Sequence, residues 1–334
     1  MKNFNINRKK VGKNAPCFII AEAGSNHNGK LEQAKKLIDV AKEAGADAVK
    51  FQLFKAGYLS ADKESQPMLK QYEFKREWIK ELNQYSQEKN IIYLATPFDT
   101  EAVDLLDKIN VPAYKIASGD LSDLPFIKYI AKKGKPIILS VGLGSLKEIR
   151  EALDTIYSTG NRDVAILHCV VDYPTKPKDV NLNIMKTLEQ FNVPVGFSDH
   201  SMEISIPIAA VALGASIIEK HFTTDRKLKG PDHSYALEPK ELREMIKGIR
   251  TVEESLGSEA KQIIKSERKN FIDARRSIHA SRNIPKGVII TEDMIKVVRP
   301  AIGIEPKYVD RVLNKKTKKE IKENSAINWD DLLS

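Results

Sequence analysis

The sequence predicts an α/β protein: a (β/α)8 TIM barrel over residues 1–257, a linker over 258–274 and a small β-rich domain over 275–334. Three observations carry that expectation. Eight short apolar, strand-like runs alternate with helical patterns. The runs end one after another in polar residues, Glu22, Lys50, Thr96, Lys115, Ser140, His168, His200 and His221. After Gly257 the helical period gives way to short β-like runs. In a closed parallel barrel the carboxyl ends of all eight strands meet at one rim, so residues two hundred positions apart can share one site.

The first unit runs from Cys17 to Gly24 and into a helix over 31–44, where Leu31, Ala34, Leu37, Ile38 and Ala41 recur at helical spacing and Gly45 follows as a stop. The second strand is Ala48 to Gln52, and a long connection to about Arg76 precedes the next helix, a loop length that marks substrate contact or a lid. Strands at 91–95, 113–116 and 136–140 alternate with helices at 101–109, 125–133 and 146–157. Strands at 164–169, 194–197 and 216–222 are followed by helices at 180–191, 204–213 and 239–256. Beyond the charged stretch 258–270, short β-like runs appear at 277–280, 288–290 and 295–298, separated by turn residues such as Pro285 and Gly287. A domain that small has little core of its own and is expected to dock onto something.

A barrel of roughly 250 residues is an ordinary single domain, which leaves the last part of this 334-residue chain for the second one. With 42% hydrophobic and 30% charged residues, the composition is that of a globular protein rather than a disordered one. No apolar run approaches the roughly 20 residues of a membrane span, and the first ten residues lack the apolar core of a secretory signal. A cytoplasmic location without membrane attachment is expected. The formal charge of +9 raises nucleic acid as a partner, but the lysines are scattered along helix faces without interleaved aromatics, which speaks against it. Cys17 and Cys169 are the only cysteines and read as small buried apolar residues rather than a disulfide framework.

Alternation along a strand sorts the polar residues. Glu219 and His221 share one face and Lys220 takes the other, toward the helices, so Lys220 reads as structural. Gly196, Ser198 and His200 share parity in the preceding strand. Two histidines from neighbouring strand ends can reach one ion, and imidazole suits manganese, cobalt, iron or zinc. Two protein ligands leave coordination positions open, as a Lewis-acid role requires. Asp199, or Glu219, could orient the imidazoles from behind; Glu219 has the alternative of pairing with a lysine inside the barrel. Lys50 and Lys115 with Ser118, Ser140 and Ser198 combine two point charges with hydroxyl donors, a phosphate or carboxylate site. The turn from Glu22 to Gly29 could cradle sugar hydroxyls or simply be an Asn/Gly turn.

The ordered motifs Ile20-Ala21-Glu22-Ala23-Gly24-Ser25-Asn26-His27-Asn28-Gly29, Val49-Lys50-Phe51-Gln52, Ala95-Thr96-Pro97-Phe98, Tyr114-Lys115-Ile116-Ala117-Ser118-Gly119, Gly196-Phe197-Ser198-Asp199-His200 and Glu219-Lys220-His221-Phe222-Thr223 resemble those of the bacterial sialic acid synthase family. The resemblance extends to a carboxyl-terminal antifreeze-like (SAF-type) domain, through residues 282–287 and Val298-Arg299-Pro300. It implies condensation of phosphoenolpyruvate with an open-chain N-acetylated hexosamine, typically N-acetylmannosamine, giving a nine-carbon 2-keto sugar acid and phosphate by carbon–oxygen cleavage. By similarity Lys50, Thr96, Lys115, Ser118, Ser140 and Ser198 hold phosphoenolpyruvate. His200 and His221 hold a divalent ion, manganese in the first instance, with magnesium or cobalt as alternatives. Glu22, Gln52, Tyr173 and Asp232 face the sugar, and Glu22 is also a candidate proton carrier. Arg299 corresponds to an arginine that the small domain presents to the partner's barrel, which implies a homodimer with each small domain covering the neighbouring active site.

Two positions depart from the family pattern. Val171 stands where many members have Asn, and Ser140-Val141-Gly142-Leu143 replaces the commoner Ser-Thr-Gly-Met. A lost hydrogen bond to a buried substrate group shifts discrimination between sugars, so a legionaminic-type or other polysaccharide-specific sugar is an alternative acceptor. A Schiff-base aldolase using Lys50 or Lys115 is a further alternative, and a carbohydrate- or ice-binding protein is one from a different class.

Overall fold

The computed structural model describes residues 3–333. They form two compact units, divided after Gly257.

In the first unit eight parallel strands form a near-closed barrel: β3 (Phe18–Gly24), β4 (Ala48–Leu53), β5 (Ile92–Pro97), β6 (Tyr114–Ile116), β7 (Ile137–Ser140), β8 (Val164–Cys169), β9 (Val195–Asp199) and β10 (Ile217–His221). The hydrogen-bonded order is β5-β4-β3-β10-β9-β8-β7-β6, and β5 lies against β6 where the ring would close. Each strand is followed by a helix: α1 (Leu31–Ala44), α2 (Trp78–Glu88), α3 (Thr100–Lys108), α4 (Leu124–Ala131), α5 (Leu146–Ser158), α6 (Ile184–Leu188), α7 (Ser205–Ala212) and α8 (Pro239–Leu256). Local sequence explains their limits. Ala34, Leu37, Ile38 and Ala41 give α1 a buried stripe, and Gly45 ends it at φ 90°, where a side chain would be strained. Asp99 accepts the Ala102 N–H at the start of α3, and Ser145 with Glu148 closes a reciprocal cap on α5. The long connection between β4 and α2 holds two short helical turns, Ala56–Leu59 and Gln66–Gln71.

Strand alternation divides the apolar residues between two layers. Ile19, Ala21, Val49, Phe51, Ile166, Phe197 and Ile218 pack outward against the helices. Phe18, Ile20, Ala48, Leu94, Ala113, Ile138, Ala165, Leu167 and Ile217 fill the interior. A hairpin of β1 (Phe4–Ile6) and β2 (Lys9–Val11) joins that interior cluster through Phe4, Ile6 and Val11. Because Phe18, Ala48 and Ile217 stand at or near the beginnings of their strands, the hairpin plugs the amino-terminal end of the barrel. Lys9 and Arg250 pair with Asp47 at this end, and the Asp47 carboxylate also accepts the Ile19 N–H at 2.8 Å. The sequence reading did not anticipate this hairpin.

The second unit covers 258–334. Its start, expected as a bare linker, carries a short helix, Arg268–Asp273. Antiparallel β11 (Ser277–Ala280) and β12 (Ile295–Val298) pair in register. The strand expected at 288–290 is reduced to an isolated bridge, Ile289 to Lys316. Ile278, Ala280, Ile284, Ile290, Ile304, Val312, Ile321, Ile327 and Leu332 make a core of this unit's own. Among the described residues no helix is long and apolar enough to cross a membrane.

Candidate functional site at the carboxyl ends of the barrel strands

The inward parity that places Ile20, Ala48, Leu94, Ala113, Ile138, Leu167 and Ile217 in the interior brings, two residues later in each strand, Glu22, Lys50, Thr96, Lys115, Ser140, Cys169 and Glu219 to the inner face. All seven are buried. The Lys50 ammonium lies 2.7 Å from Glu22 and 3.6 Å from Glu219 and donates to Thr96 Oγ1 at 3.0 Å. Lys115 donates to Ser140 Oγ at 2.6 Å and lies 3.7 Å from Glu219. Glu219 also accepts the Ser198 hydroxyl at 2.9 Å. Two cations, two carboxylates and three hydroxyls therefore form one network, tied by strand register that sets Glu22 beside Lys50 and Glu219 beside Ser198.

The electrostatics divide the carboxylates. Burial lifts Glu22 to about 7 despite the pull of Lys50. Glu219 is as deeply buried, but Lys115 and Lys50, together with the Ser198 hydroxyl, outweigh that burial and hold it at about 2. Two like charges sharing two cations leave one carboxyl as the proton holder, and here it is Glu22. Burial opposes the charge on Lys50, yet Glu219 and Glu22 keep its ammonium above the ordinary range. For Lys115 burial wins over Glu219 and the shift is downward.

Above this layer the His200 and His221 rings stand 5.5 Å apart. His200 donates Nδ1–H to the Val170 carbonyl at 2.6 Å, which leaves Nε2 with a free lone pair. His221 Nδ1 is buried with no hydrogen-bond partner among the described residues. Burial lowers both, His200 to about 4, so both imidazoles are neutral at neutral pH, as metal ligands must be. The residues fit a divalent cation held by two imidazoles. No third His, Cys, Asp or Glu completes a metal cluster among the described residues, so the remaining positions would fall to water and substrate. Tyr173 packs on His200 with ring centroids 4.2 Å apart. Asp232 accepts the Ser25 hydroxyl at 2.8 Å and the Tyr235 hydroxyl at 2.8 Å, and Gln52 donates to Glu22 at 3.0 Å. Gly24 is required here: at φ 50° a Cβ would stand 2.7 Å from Asp232 and 3.4 Å from the His221 ring.

The NeuB family profile matches residues 37–261, and a SAF domain profile matches 275–333. An uncharacterised protein of Methanocaldococcus jannaschii is 47% identical, over 100% of this chain and 99% of that protein. The N,N'-diacetyllegionaminic acid synthase of Campylobacter jejuni is 43% identical, over 93% of this chain and 98% of its own length. The crystal structure of an N-acetylneuraminic acid synthetase from Leptospira borgpetersenii, in complex with citrate, superposes with a TM-score of 0.77 at 38% identity, covering 80% of this chain and 95% of that one. The chain belongs to the NeuB family.

Within this NeuB-family barrel Lys50, Thr96, Lys115, Ser140, Ser198, Glu22, Gln52, His200, His221, Tyr173 and Asp232 converge as the sequence led one to expect, and Ser118 joins them by accepting the Gly142 N–H at 3.0 Å. Four expectations change. His168 shares parity with Ile166, faces the helices, meets the Val180 carbonyl at 2.7 Å and stacks on Phe197; it is not at the rim. Asp199 makes no hydrogen bond to the His200 ring: it is on the outward face, paired with Lys220 at 2.6 Å. Glu219 takes its alternative role, pairing with the two lysines. Cys169 is no mere filler, because its Sγ lies 2.9 Å from Ser118 Oγ. Tyr235, sequence reasoning missed altogether; it stands 5.4 Å from the His221 ring in a short turn that carries no periodicity or motif. Val171 is 38% exposed. Arg299 is exposed on the second unit.

Proposed function

We propose that this chain is a nonulosonate synthase, joining phosphoenolpyruvate to an open-chain N-acetylated hexosamine, N-acetylmannosamine or a relative, with release of phosphate. The observation that carries the reading is the single buried layer in which Lys50, Lys115, Thr96, Ser140 and Ser198 surround Glu219 beneath two facing, neutral histidines. Ammonium groups and hydroxyls buried together are suited to a carboxylate and a phosphate, and Ser118 adds a further hydroxyl. His200 and His221 would hold a divalent cation, manganese first and magnesium or cobalt as alternatives, which when bound polarises the sugar aldehyde.

The chain's own groups handle the protons. The methylene carbon of the enol forms a bond to the aldehyde carbon, and the aldehyde oxygen takes a proton. Glu22, protonated for much of the time at neutral pH, is the donor. Water adds to the cationic carbon and releases a proton that recharges Glu22. The carbon–oxygen bond to phosphate then breaks with its electron pair passing to phosphate, which also takes the proton of the new hydroxyl, leaving the 2-keto acid and inorganic phosphate. Gln52 holds Glu22 in place, while Tyr173 and Asp232 border the space for the sugar. Lys50, held charged by Glu22 and Glu219, is a poor Schiff-base nucleophile, which removes one of the two lysines of the aldolase alternative; Lys115, shifted downward by burial, is the one that borohydride trapping tests.

The relatives' names span more than one sugar, and Val171 offers no hydrogen bond beside Tyr173, so a legionaminic-type acceptor is the second reading. A homodimer in which Arg299 of each SAF domain covers the neighbouring active site, working in the cytoplasm, completes the proposal. The test is to incubate the protein with manganese, phosphoenolpyruvate labelled with 18O in the bridging position, and either N-acetylmannosamine or its 6-deoxy diacetamido analogue. The reading expects label in the released phosphate and a nine-carbon acid with one sugar preferred. Absence of phosphate release with every sugar, or a borohydride-trapped keto acid on a lysine, would overturn it.

A further inference from the structure

The outer face of β9 and β10 carries a buried ion pair that the chemistry above does not use. Lys220 and Asp199 are each 1% exposed and are opposite one another in register. The Lys220 ammonium meets Asp199 Oδ2 at 2.6 Å, the Ser201 carbonyl, the Glu203 carbonyl at 3.1 Å and Ser201 Oγ at 3.4 Å. The other Asp199 oxygen accepts the Ser201 N–H at 2.9 Å, and its Oδ2 accepts the Ser201 hydroxyl at 3.0 Å. Every oxygen in this knot belongs to residues 199–203, the turn that contains His200.

Lys220 is the residue before His221, and Asp199 is the residue before His200. His200 lies beyond the last hydrogen-bonded residue of β9, so strand pairing does not fix its backbone. Its carbonyl accepts the Thr175 N–H at 3.0 Å, and the turn after it is gathered onto the Lys220 ammonium, whose own backbone carries His221. We propose that Lys220 and Asp199 are positioning residues that set the spacing of the His200 and His221 imidazoles from behind, and so determine how tightly the pair holds a divalent cation. The proposal rests on the reading of those histidines as metal-holding. A fully buried ammonium among four oxygens is a rigid tether, since loss of either partner leaves the other charge buried and uncompensated. Of the phosphoenolpyruvate groups, Lys50, Lys115, Thr96 and Ser140 lie on other strands, and Ser198, though it precedes Asp199 on β9, turns its hydroxyl to Glu219 on the opposite face.

The test compares Lys220→Met and the charge-neutral double variant Lys220→Met/Asp199→Asn with the unaltered protein, by titrating Mn2+ alone, followed by its electron paramagnetic resonance signal, and phosphoenolpyruvate alone, by calorimetry. The double variant guards against misfolding of the single one, which buries a lone carboxylate. The expected result is a Mn2+ dissociation constant raised at least tenfold in a folded variant, with phosphoenolpyruvate affinity within twofold. Mn2+ affinity within twofold of the unaltered protein, or both affinities falling together, would overturn the tether while leaving the metal reading intact. An unaltered protein that binds no Mn2+ would overturn both.

Discussion

Replacing Glu22 by Gln separates what this carboxyl does for chemistry from what it costs the fold. Glu22 is 1% exposed, and burial lifts it from the ordinary 4.5 to about 7. A carboxyl raised in the fold contributes its full share of stability below its unfolded value and loses it as pH climbs through the folded one. For Glu22 that window runs from about pH 4.5 to about pH 7, and at about 1.4 kcal/mol per pH unit the loss above it comes to about 3 kcal/mol. Glutamine keeps the shape of the protonated acid and cannot ionise. Glu22→Gln should therefore be within about 1 kcal/mol of the unaltered protein at pH 5 and more stable by about 3 kcal/mol at pH 8.5. Turnover, by contrast, should fall by about 10² to 10⁴, the usual worth of a positioned proton donor. Urea denaturation at the two pH values, paired with a phosphate-release assay, reads both effects. A variant less stable than its parent at pH 8.5, or an advantage that does not change with pH, would refute the reasoning.

Lys115→Met removes one of the two cations on Glu219 and the donor to Ser140; phosphoenolpyruvate affinity is expected to fall by about 2 kcal/mol or more, about 30-fold in its dissociation constant by calorimetry. Gly196→Ala would place a Cβ 2.5 Å from the Ile217 carbonyl oxygen and 2.6 Å from Leu167 Cδ2, and the unfolding free energy should drop by about 1 to 3 kcal/mol. A drop below about 0.5 kcal/mol would mean that the barrel interior is looser than these distances state. Arg299→Ala should abolish most turnover while leaving the circular dichroism spectrum and Mn2+ binding of the barrel unchanged; full activity would dismiss the proposed cover of a neighbouring active site.

Much of the site was legible because chemistry and parity agreed. Glu219 and His221 could be placed on one face, and Lys220 on the other, from their spacing alone, and the structure has them so. His168 shows where the same rule lacks a reference point. In a parallel sheet covered on both sides, the two faces of β8 are Val164-Ile166-His168 and Ala165-Leu167-Cys169, both mostly apolar, and nothing in the sequence says which looks inward. Choosing the polar end residue selected the wrong face and hid Cys169, the one that touches Ser118. Asp199 shows that sequence adjacency to His200 does not give contact with its ring, because neighbours on a strand point apart. The amino-terminal hairpin did leave a trace, the alternation of Phe4 and Ile6 before the turn at Asn7, but strands of three residues give too short a pattern to stand against background.

The hairpin that plugs the amino-terminal end of the barrel has a kinetic consequence. With Phe4, Ile6 and Val11 stopping one end, the described residues leave the carboxyl-terminal rim as the way in, and on the proposed reading a reactant held on the floor around Lys50 and Lys115 has to pass before another rests on the threshold beside Tyr173 and Asp232. Reactants of unequal depth must then queue, the deeper one first in and the carbon skeleton built across both levels obliged to back out the way it came. Initial-rate patterns with each reactant varied in turn should accordingly show compulsory order rather than random entry.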